Sequence, residues 1–137
     1  MTQEKFNILT GQLCAYCRSV PKLVDSAIVY GVSYGLIYYC KECDAYVGVH
    51  KGTTRPLGRL ANRELRKLKV DAHNCFDRLW KEKYFTRQEA YIFLQKKLKI
   101  EKQFCHIGMF DERTCEKVIE VTNKYLKKRS HAKEISN

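Results

Sequence analysis

The sequence lacks the segments that place a protein in a membrane or export it from a cell. Its longest stretch without a charged residue, Ser26–Cys40, contains two glycines and is shorter than the roughly 20 apolar residues of a membrane span. The first residues have neither the basic start and apolar run nor the cleavage site of a secretory signal. We therefore expect a cytoplasmic protein with no membrane partner.

Catalytic motifs are missing as well. The sequence has no Gly-rich phosphate loop, no H-E-x-x-H metal motif and no nucleophile elbow. Proline is scarce, with two residues, whereas 45% of the residues are hydrophobic and 12% are aromatic, so the chain has enough apolar material to fold. We expect a folded protein that is not an enzyme, and an enzyme built on a cluster of His and Asp is the weakest hypothesis.

Acidic residues are few relative to basic ones. The chain has 15 Asp and Glu against 26 Lys and Arg, which gives a formal net charge of +11. Residues 1–50 contain four of each kind and are neutral, so residues 51–137 carry the whole excess. A basic excess of this size favours an anionic partner, most commonly DNA or RNA and next an acidic protein surface.

Four of the seven cysteines form two pairs with the spacing of metal ligands. Cys14 and Cys17 make one C-x-x-C pair, Cys40 and Cys43 make a second, and 22 residues separate the two pairs. Four thiolates in a tetrahedral set select Zn²⁺ over harder ions, and a closed set of four is structural. The spacing predicts one structural zinc ion on these four residues. Buried or redox-active thiols are the less favoured alternative.

Short aromatic and β-branched runs surround the second cysteine pair and predict three antiparallel strands. The runs are Ala27–Tyr30, Leu36–Tyr39 and Tyr46–Val49, with a hairpin turn between Gly31 and Gly35. A hairpin between two C-x-x-C pairs, followed by a third strand, is the layout of a zinc ribbon.

Beyond residue 50 the hydrophobic pattern becomes helical. Apolar residues three or four apart predict a long helix from Leu57 to about Trp80. A second helix is predicted after Thr86, whose hydroxyl forms a capping box with Glu89, and a third after Asp111.

These patterns predict an α+β fold, in which a small N-terminal zinc ribbon packs on a C-terminal three-helix part. The ribbon spans residues 1–50 and the basic helical part spans 51–128, with the junction at His50–Pro56. Residues 129–137 are predicted to form a flexible basic tail.

The remaining three cysteines fit a core better than a metal site. Cys75 and Cys115 lie on apolar helix faces, where a thiol behaves as a small hydrophobic group. The alternative is a second metal site in which Cys105, His106 and Cys115 act with His73 or His50. Their spacing matches no standard ligand pattern.

An ordered series of short sequence words, from Cys14 to about Val118, resembles the bacterial and bacteriophage family of zinc-finger-containing domains of unknown function. The matching words are Cys14-Ala-Tyr-Cys17, Val29-Tyr30-Gly31, Gly35–Cys40, Cys43–His50, Gly52-Thr53, Pro56–Ala61, Leu65-Arg66, Ala72-His73, Phe76-Asp77, Leu79-Trp80, Arg87, Ala90-Tyr91, Leu94, Cys105–Asp111 and Cys115. The resemblance implies a four-cysteine zinc site and a bacterial cell or phage-infected host, and it implies no activity. Ala15 and Arg18 replace the proline and glycine of the family's usual first knuckle, Cys-Pro-Tyr-Cys-Gly, and losing the glycine is expected to strain that turn.

The family words also contain polar residues that a zinc ribbon does not require. His50, His73, Asp77 and His106 are candidates for a second polar site, and His73 and Asp77 lie one helical turn apart. The favoured interpretation is that such residues cap helices and make structural hydrogen bonds, as is expected of Asp111.

The segment from Lys51 to Lys69 holds seven bases and one acid. On a continuous helix, Arg59, Arg63 and Arg66 would form one exposed ridge opposite the apolar face, and each planar guanidinium suits a phosphate. The candidate nucleic-acid-binding residues are Lys51, Arg55, Arg59, Arg63, Arg66 and Lys67. A solvated helix face is an equally favoured interpretation.

Five tyrosines lie on or beside the predicted sheet: Tyr30, Tyr34, Tyr38, Tyr39 and Tyr46. Strand alternation exposes some of them to stacking on unpaired bases, although packing is expected for most. The first functional hypothesis is a zinc protein that binds nucleic acid. The alternative is a phage-type interaction module or inhibitor that acts on a host protein, such as a nucleic-acid-handling defence complex.

Overall fold

The computed structural model describes residues 1–136, and the chain divides into two compact units, Met1–Arg66 and Lys67 onwards. We call them the first unit and the second unit. No helix in the described part of the chain is both long and apolar enough to cross a membrane. The helices and strands, in chain order, are α1 Gln3–Leu9, β1 Lys22–Asp25, α2 Ala27–Tyr30, β2 Leu36–Cys40, β3 Ala45–Gly48, α3 Arg63–Lys81, α4 Arg87–Leu98 and α5 Glu112–Ser136, with two 3₁₀ turns at Lys102–Phe104 and Ile107–Met109.

The first unit contains the predicted three-stranded antiparallel sheet. The strand order is β1-β2-β3, and the register pairs Leu23 with Tyr38 and Tyr39 with Tyr46. On β2 the buried residues are Ile37 and Cys40, and alternation along β3 buries Ala45 and Val47. An α+β architecture with an N-terminal sheet followed by helices is therefore confirmed.

The first predicted strand is misplaced. Residues 27–30 form the short helix α2, and the strand lies just before it at Lys22–Asp25. The Asp25 carboxylate accepts a hydrogen bond from the Ala27 backbone N–H at 2.8 Å, and Gly31 ends the turn at φ +79°. Local capping thus overrides the β propensity of this run.

The first helix of the basic part begins later than its predicted start at Leu57. Residues 51–61 instead pair with the sheet, through isolated bridges between Val49 and Pro56 and between Tyr46 and Ala61. The Asn62 side chain then caps α3 by accepting from the Leu65 N–H at 3.0 Å. The unit boundary consequently lies after Arg66, whereas the sequence places the junction at His50–Pro56.

The second unit has its own apolar core on three helices. Its fully buried residues include Phe76 and Leu79 on α3, Leu94 on α4, and Val118 and Thr122 on α5. Pairing of α4 with α5 supports the core, and the Phe76 and Tyr91 rings meet edge to face at 5.1 Å.

Two predicted helix starts in the second unit are confirmed. Thr86 and Glu89 form a complete capping box at α4, and the Asp111 carboxylate accepts from the Thr114 N–H at 2.9 Å at α5. Helix α5 continues through Ser136, so residues expected in a tail are helical up to that point. The expected flexibility of 129–137 stays a prediction, and Asn137 lies outside the described residues.

Candidate metal centre and neighbouring groove

The first cysteine pair lies in a tight turn. The Cys14 N–H donates to the Ser19 carbonyl and the Arg18 N–H donates to the Cys14 carbonyl, both at 2.9 Å. Arg18 has φ +64°, the left-handed conformation that favours glycine. The expected consequence of lacking glycine is thus visible, because an L side chain occupies a strained position. An exposed ion pair between Arg18 and Glu4, at 3.0 Å, accompanies it.

The second cysteine pair also lies in a turn that is followed by a residue with positive φ. Cys40 ends β2, Cys43 lies in the turn before β3, and the Asp44 N–H donates to the Lys41 carbonyl at 3.2 Å. Asp44 has φ +49°, so each pair is followed at once by a left-handed residue. Asp tolerates that conformation better than most side chains, which makes the second turn the less strained of the two.

The four sulfur atoms converge on one point. The Sγ atoms of Cys14, Cys17, Cys40 and Cys43 all lie within 4.8 Å of one another, and Cys17 and Cys40 are 3.6 Å apart. A tetrahedral zinc ion with Zn–S bonds of about 2.3 Å holds its sulfurs about 3.8 Å apart. The donor set and the spacing therefore fit a single zinc ion, as the sequence predicts. With four thiolates the set is closed and leaves no coordination position for a substrate.

The surroundings shift the pKa values of Cys17, Cys40 and Cys43 in different directions. Hydrogen bonds from Ser19 lower the pKa of Cys17 to about 6. Burial raises the pKa of Cys40 to about 11 and that of Cys43 to about 12, and the thiols of Cys14 and Cys17 add to both shifts. A bound divalent cation would supply the positive charge that favours the thiolate forms of Cys40 and Cys43.

An apolar cluster supports the metal centre from the protein side. It consists of the buried Cys14, Cys40, Ala45, Val47 and Leu60. Tyr16, between the first two cysteines, accepts a hydrogen bond from the Asn62 N–H at 3.1 Å. The first cysteine turn is therefore tied directly to the residue that caps α3. Asparagine is a preferred N-cap residue, so Asn62 is a signal in the sequence that marks this helix start.

The Arg66 side chain makes hydrogen bonds and an aromatic contact within the first unit. Its Nη1 donates to the Ala61 carbonyl at 2.7 Å and the Asp44 carbonyl at 3.0 Å. Its guanidinium lies 4.1 Å from the centre of the Tyr46 ring, and 26% of the side chain is exposed. Arg66 is a structural link between α3 and the second cysteine turn.

The predicted arginine ridge of Arg59, Arg63 and Arg66 is consequently not formed. Arg59 precedes the helix and is half-buried, Arg63 is exposed at the first helical position, and Arg66 faces the sheet. Lys67 is exposed and begins the second unit. The helical spacing fails because the chain is bridged to the sheet up to Ala61. A role of these residues in binding nucleic acid stays a prediction.

The other two candidate bases, Lys51 and Arg55, line an open groove of the first unit. The groove has a volume of about 1120 Å³ and lies along the sheet between α2 and the loop 51–55. Its aromatic residues are Tyr30, Tyr34 and Tyr46. Burial and the hydrogen bond from Tyr30 raise the pKa of Tyr46 to about 12. The described residues that line the groove include bases but no acid.

The groove is edged by exposed apolar side chains. Tyr34 is 77% exposed, Tyr30 49%, Leu57 48% and Leu36 39%. Contiguous exposed apolar surface of this kind marks an interaction site more often than a solvated surface. Tyr38 and Tyr39 are half-buried instead, and the Tyr38 hydroxyl donates to the Thr54 carbonyl at 2.6 Å.

The second polar site at His50, His73, Asp77 and His106 stays a prediction, and these residues form no metal-ligand group in the part of the chain that the structure describes. Within the described residues, the four-cysteine group is the one place where three or more His, Cys, Asp or Glu ligand atoms come together. His50 belongs to the first unit, whereas His73, Asp77 and His106 belong to the second. The Asp77 carboxylate accepts a hydrogen bond from the Trp80 Nε1 at 3.3 Å. Desolvation lowers the pKa of His73, although the nearby negative charge of Asp77 acts to raise it.

His106 and the last three cysteines take separate positions in the second unit. His106 is exposed and lines a pocket of about 530 Å³ with Arg87 and Lys102. Cys105 and Cys115 are buried, which raises the pKa of Cys105 to about 11, and the half-buried Cys75 lies 3.3 Å from the Asn123 side-chain oxygen. Core packing of Cys115, as predicted from the helix face, is confirmed.

Comparison with known proteins identifies the family from most of the chain. The model of a zinc-finger-containing domain matches residues 10–125, which include all four clustered cysteines. No curated protein and no solved structure matches the chain. The family match and the geometry of the four sulfurs agree on zinc binding. The chain belongs to the family of zinc-finger-containing domains.

Proposed function

We propose that this protein is a non-enzymatic zinc protein that binds nucleic acid through the groove of its first unit. The observation that carries the proposal is the lining of the groove, which combines Lys51 and Arg55 with three tyrosines. Cations beside aromatic rings suit a polymer of phosphates and flat bases. The zinc ion stabilises the sheet that supports this surface, and its closed ligand set supplies no reaction centre.

The charge of the first unit is consistent with an anionic partner. Residues 1–66 hold nine Lys and Arg against five Asp and Glu, a net charge of +4. Two of those acids already face arginines, since Glu4 pairs with Arg18 and Asp44 lies 3.8 Å from Arg66. Each pair removes one charge of each sign, so the remaining seven bases and three acids still carry the net charge of +4.

The loop that carries Lys51 and Arg55 is ordered before any ligand binds. The His50 N–H donates to the Arg55 carbonyl at 2.9 Å, and the Thr53 hydroxyl donates to the His50 carbonyl at 2.8 Å. The Thr53 oxygen also accepts from the Arg55 N–H at 3.1 Å. Because the backbone is already fixed, binding at the two bases costs less conformational entropy.

The direct test is a salt titration of binding to labelled single- and double-stranded DNA and RNA. Binding should weaken with salt, and the Lys51→Ala/Arg55→Ala double variant should lose about 1.4 from the slope of log K against log salt on a single strand, at about 0.7 per phosphate contact. The matched control is Lys127→Ala/Lys128→Ala, which removes two exposed bases of the second unit. Salt-insensitive binding, or no binding at low salt, would reject the proposal.

A second candidate function is a phage-type interaction module directed at a host protein. It is favoured by apolar side chains exposed on α2 and directly after it, Ile28 at 63% and Val32 at 55%. This function predicts one stoichiometric protein partner that is retained after nuclease treatment and lost with Val32→Asp. Failure to recover such a partner would reject it.

A further inference from the structure

We infer that the groove binds an unpaired single strand, with Tyr34 as the stacking platform for a base. The inference rests on the proposed function and narrows it to one class of nucleic acid. It is carried by the geometry of the tyrosines, by the shape of the groove and by the position of the two bases beside it.

Tyr34 is largely exposed to solvent. It is 77% accessible, and its neighbour Tyr30 meets it edge to face, with 5.5 Å between centroids and 85° between planes. Such a ring gains contact area by stacking on another flat group, and every nucleobase has a suitable face. In a duplex those faces are covered by neighbouring base pairs, so this contact selects unpaired bases.

The tyrosines behind Tyr34 are held in place. The Tyr30 hydroxyl donates to the Tyr46 hydroxyl at 2.7 Å, and their rings lie edge to face at 5.7 Å. The Arg66 guanidinium covers the Tyr46 ring. Tyr46 therefore holds Tyr30, which in turn contacts Tyr34. The Tyr34 hydroxyl has no hydrogen-bond partner among the described residues, and its exposed ring is able to take a ligand.

The shape and walls of the groove fit a strand better than a small molecule. Its volume of about 1120 Å³ exceeds the roughly 300–1,000 Å³ of most small-molecule sites, and it is open to solvent. Apolar side chains of Leu36 and Leu57 lie along it for bases and sugars, and Lys51 and Arg55 supply charge for the phosphates. A single nucleic-acid strand in the groove can contact the apolar and the basic side chains at the same time.

The experiment compares an unstructured oligopyrimidine with a hairpin duplex of equal length, using fluorescence anisotropy of the full-length, zinc-loaded protein. The variants are Tyr34→Ala and, as matched control, Tyr34→Phe, which keeps the ring. Tyr34→Ala should weaken single-strand binding about 5- to 150-fold, which is the loss of one stacked base, and Tyr34→Phe should bind like the parent. Circular dichroism and zinc content verify that each variant folds.

The outcomes separate the two proposals. If Lys51→Ala/Arg55→Ala weakens binding but Tyr34→Ala does not, or if the duplex binds as tightly as the single strand, the single-strand inference is overturned and nucleic-acid binding stands. If neither oligonucleotide binds at low salt, both fail. Loss of a protein partner on Tyr34→Ala, with oligonucleotide binding unchanged, also overturns the inference in favour of a protein interface.

Discussion

The guanidinium of Arg66 lies 4.1 Å from the centre of the Tyr46 ring and at the same time donates hydrogen bonds to the carbonyls of Asp44 and Ala61. One side chain therefore joins the start of α3, the strand β3 and the second cysteine turn. A lysine ammonium is not planar, so it cannot stack on an aromatic ring and donate hydrogen bonds to carbonyls at the same time in this way. This arginine is part of the framework of the metal centre.

Arg66→Lys should destabilise the first unit by about 1–2 kcal/mol, because it loses a hydrogen bond to a main-chain carbonyl and the ring contact. Thermal or urea unfolding of the zinc-loaded protein measures this loss. Arg63→Lys is the matched control, since Arg63 is exposed on the same helix, and it should change stability by less than about 0.5 kcal/mol. Equal stability of both variants would contradict the structural role of Arg66.

The first cysteine turn contains a strain that a single substitution relieves. Arg18→Gly should tighten zinc binding, because glycine adopts φ +64° without the roughly 1–2 kcal/mol cost of an L side chain, part of which is offset by its greater freedom when unfolded. The measurement is competition with a zinc chelator at about 0.5 M salt, where the ion pair with Glu4 is screened. Glu4→Gln removes that ion pair alone and is the control. A loss of affinity with Arg18→Gly that exceeds the loss with Glu4→Gln would show that the turn is not strained.

Thr122 is fully buried on α5, and its hydroxyl has no hydrogen-bond partner in the described part of the chain. Thr122→Val keeps the shape and removes the unpaired polar group, so it should stabilise the second unit by about 1 kcal/mol. Thr122→Ala should instead destabilise, because it also leaves a cavity. Urea unfolding separates the two variants, and a Val variant less stable than the parent would indicate that the hydroxyl is satisfied.

Zinc removal should unfold the first unit and spare the second. The first unit is built around the cysteine cluster, whereas the second has an apolar core of its own. Zinc finger peptides gain about 10–16 kcal/mol from the metal, which is far more than a small sheet contributes alone. Hydrogen exchange with and without chelator tests this, with Cys17→Ala expected to mimic chelation and Cys75→Ala to leave zinc content unchanged. Protection of β2 and β3 amides after complete zinc removal would be the contrary result.

The zinc ligands were predictable because their spacing is local. Two residues between cysteines set a turn, and the separation of the pairs sets a hairpin, so Cys14 to Cys43 needed no knowledge of distant contacts. The capping box at Thr86 and the cap at Asp111 are local in the same sense, and both were found. The prediction of a strand at residues 27–30 was wrong because the Asp25 side chain accepts a hydrogen bond from the Ala27 N–H, and strand propensity does not include such side-chain contacts.

The arginine ridge was wrong for a different reason. Helical spacing places Arg59 and Arg66 on one face only if the helix is continuous, and pairing of Ala61 with Tyr46 prevents that. Such pairing joins residues far apart in sequence and depends on the folded sheet. The groove could not be predicted from the sequence for the same reason, since α2, the sheet and the loop 51–55 come together only in the fold. Its chemistry was nevertheless present in the sequence, as bases and tyrosines.

Binding of nucleic acid at the groove of the first unit can be located by amide chemical-shift mapping. The zinc-loaded protein is titrated with an unstructured oligonucleotide, and backbone amide shifts are followed residue by residue. We expect the largest shifts at Tyr34, at Lys51, Gly52 and Arg55, and along β2. Shifts confined to Arg63, Lys67 and the second unit, or no shifts at low salt, would contradict it.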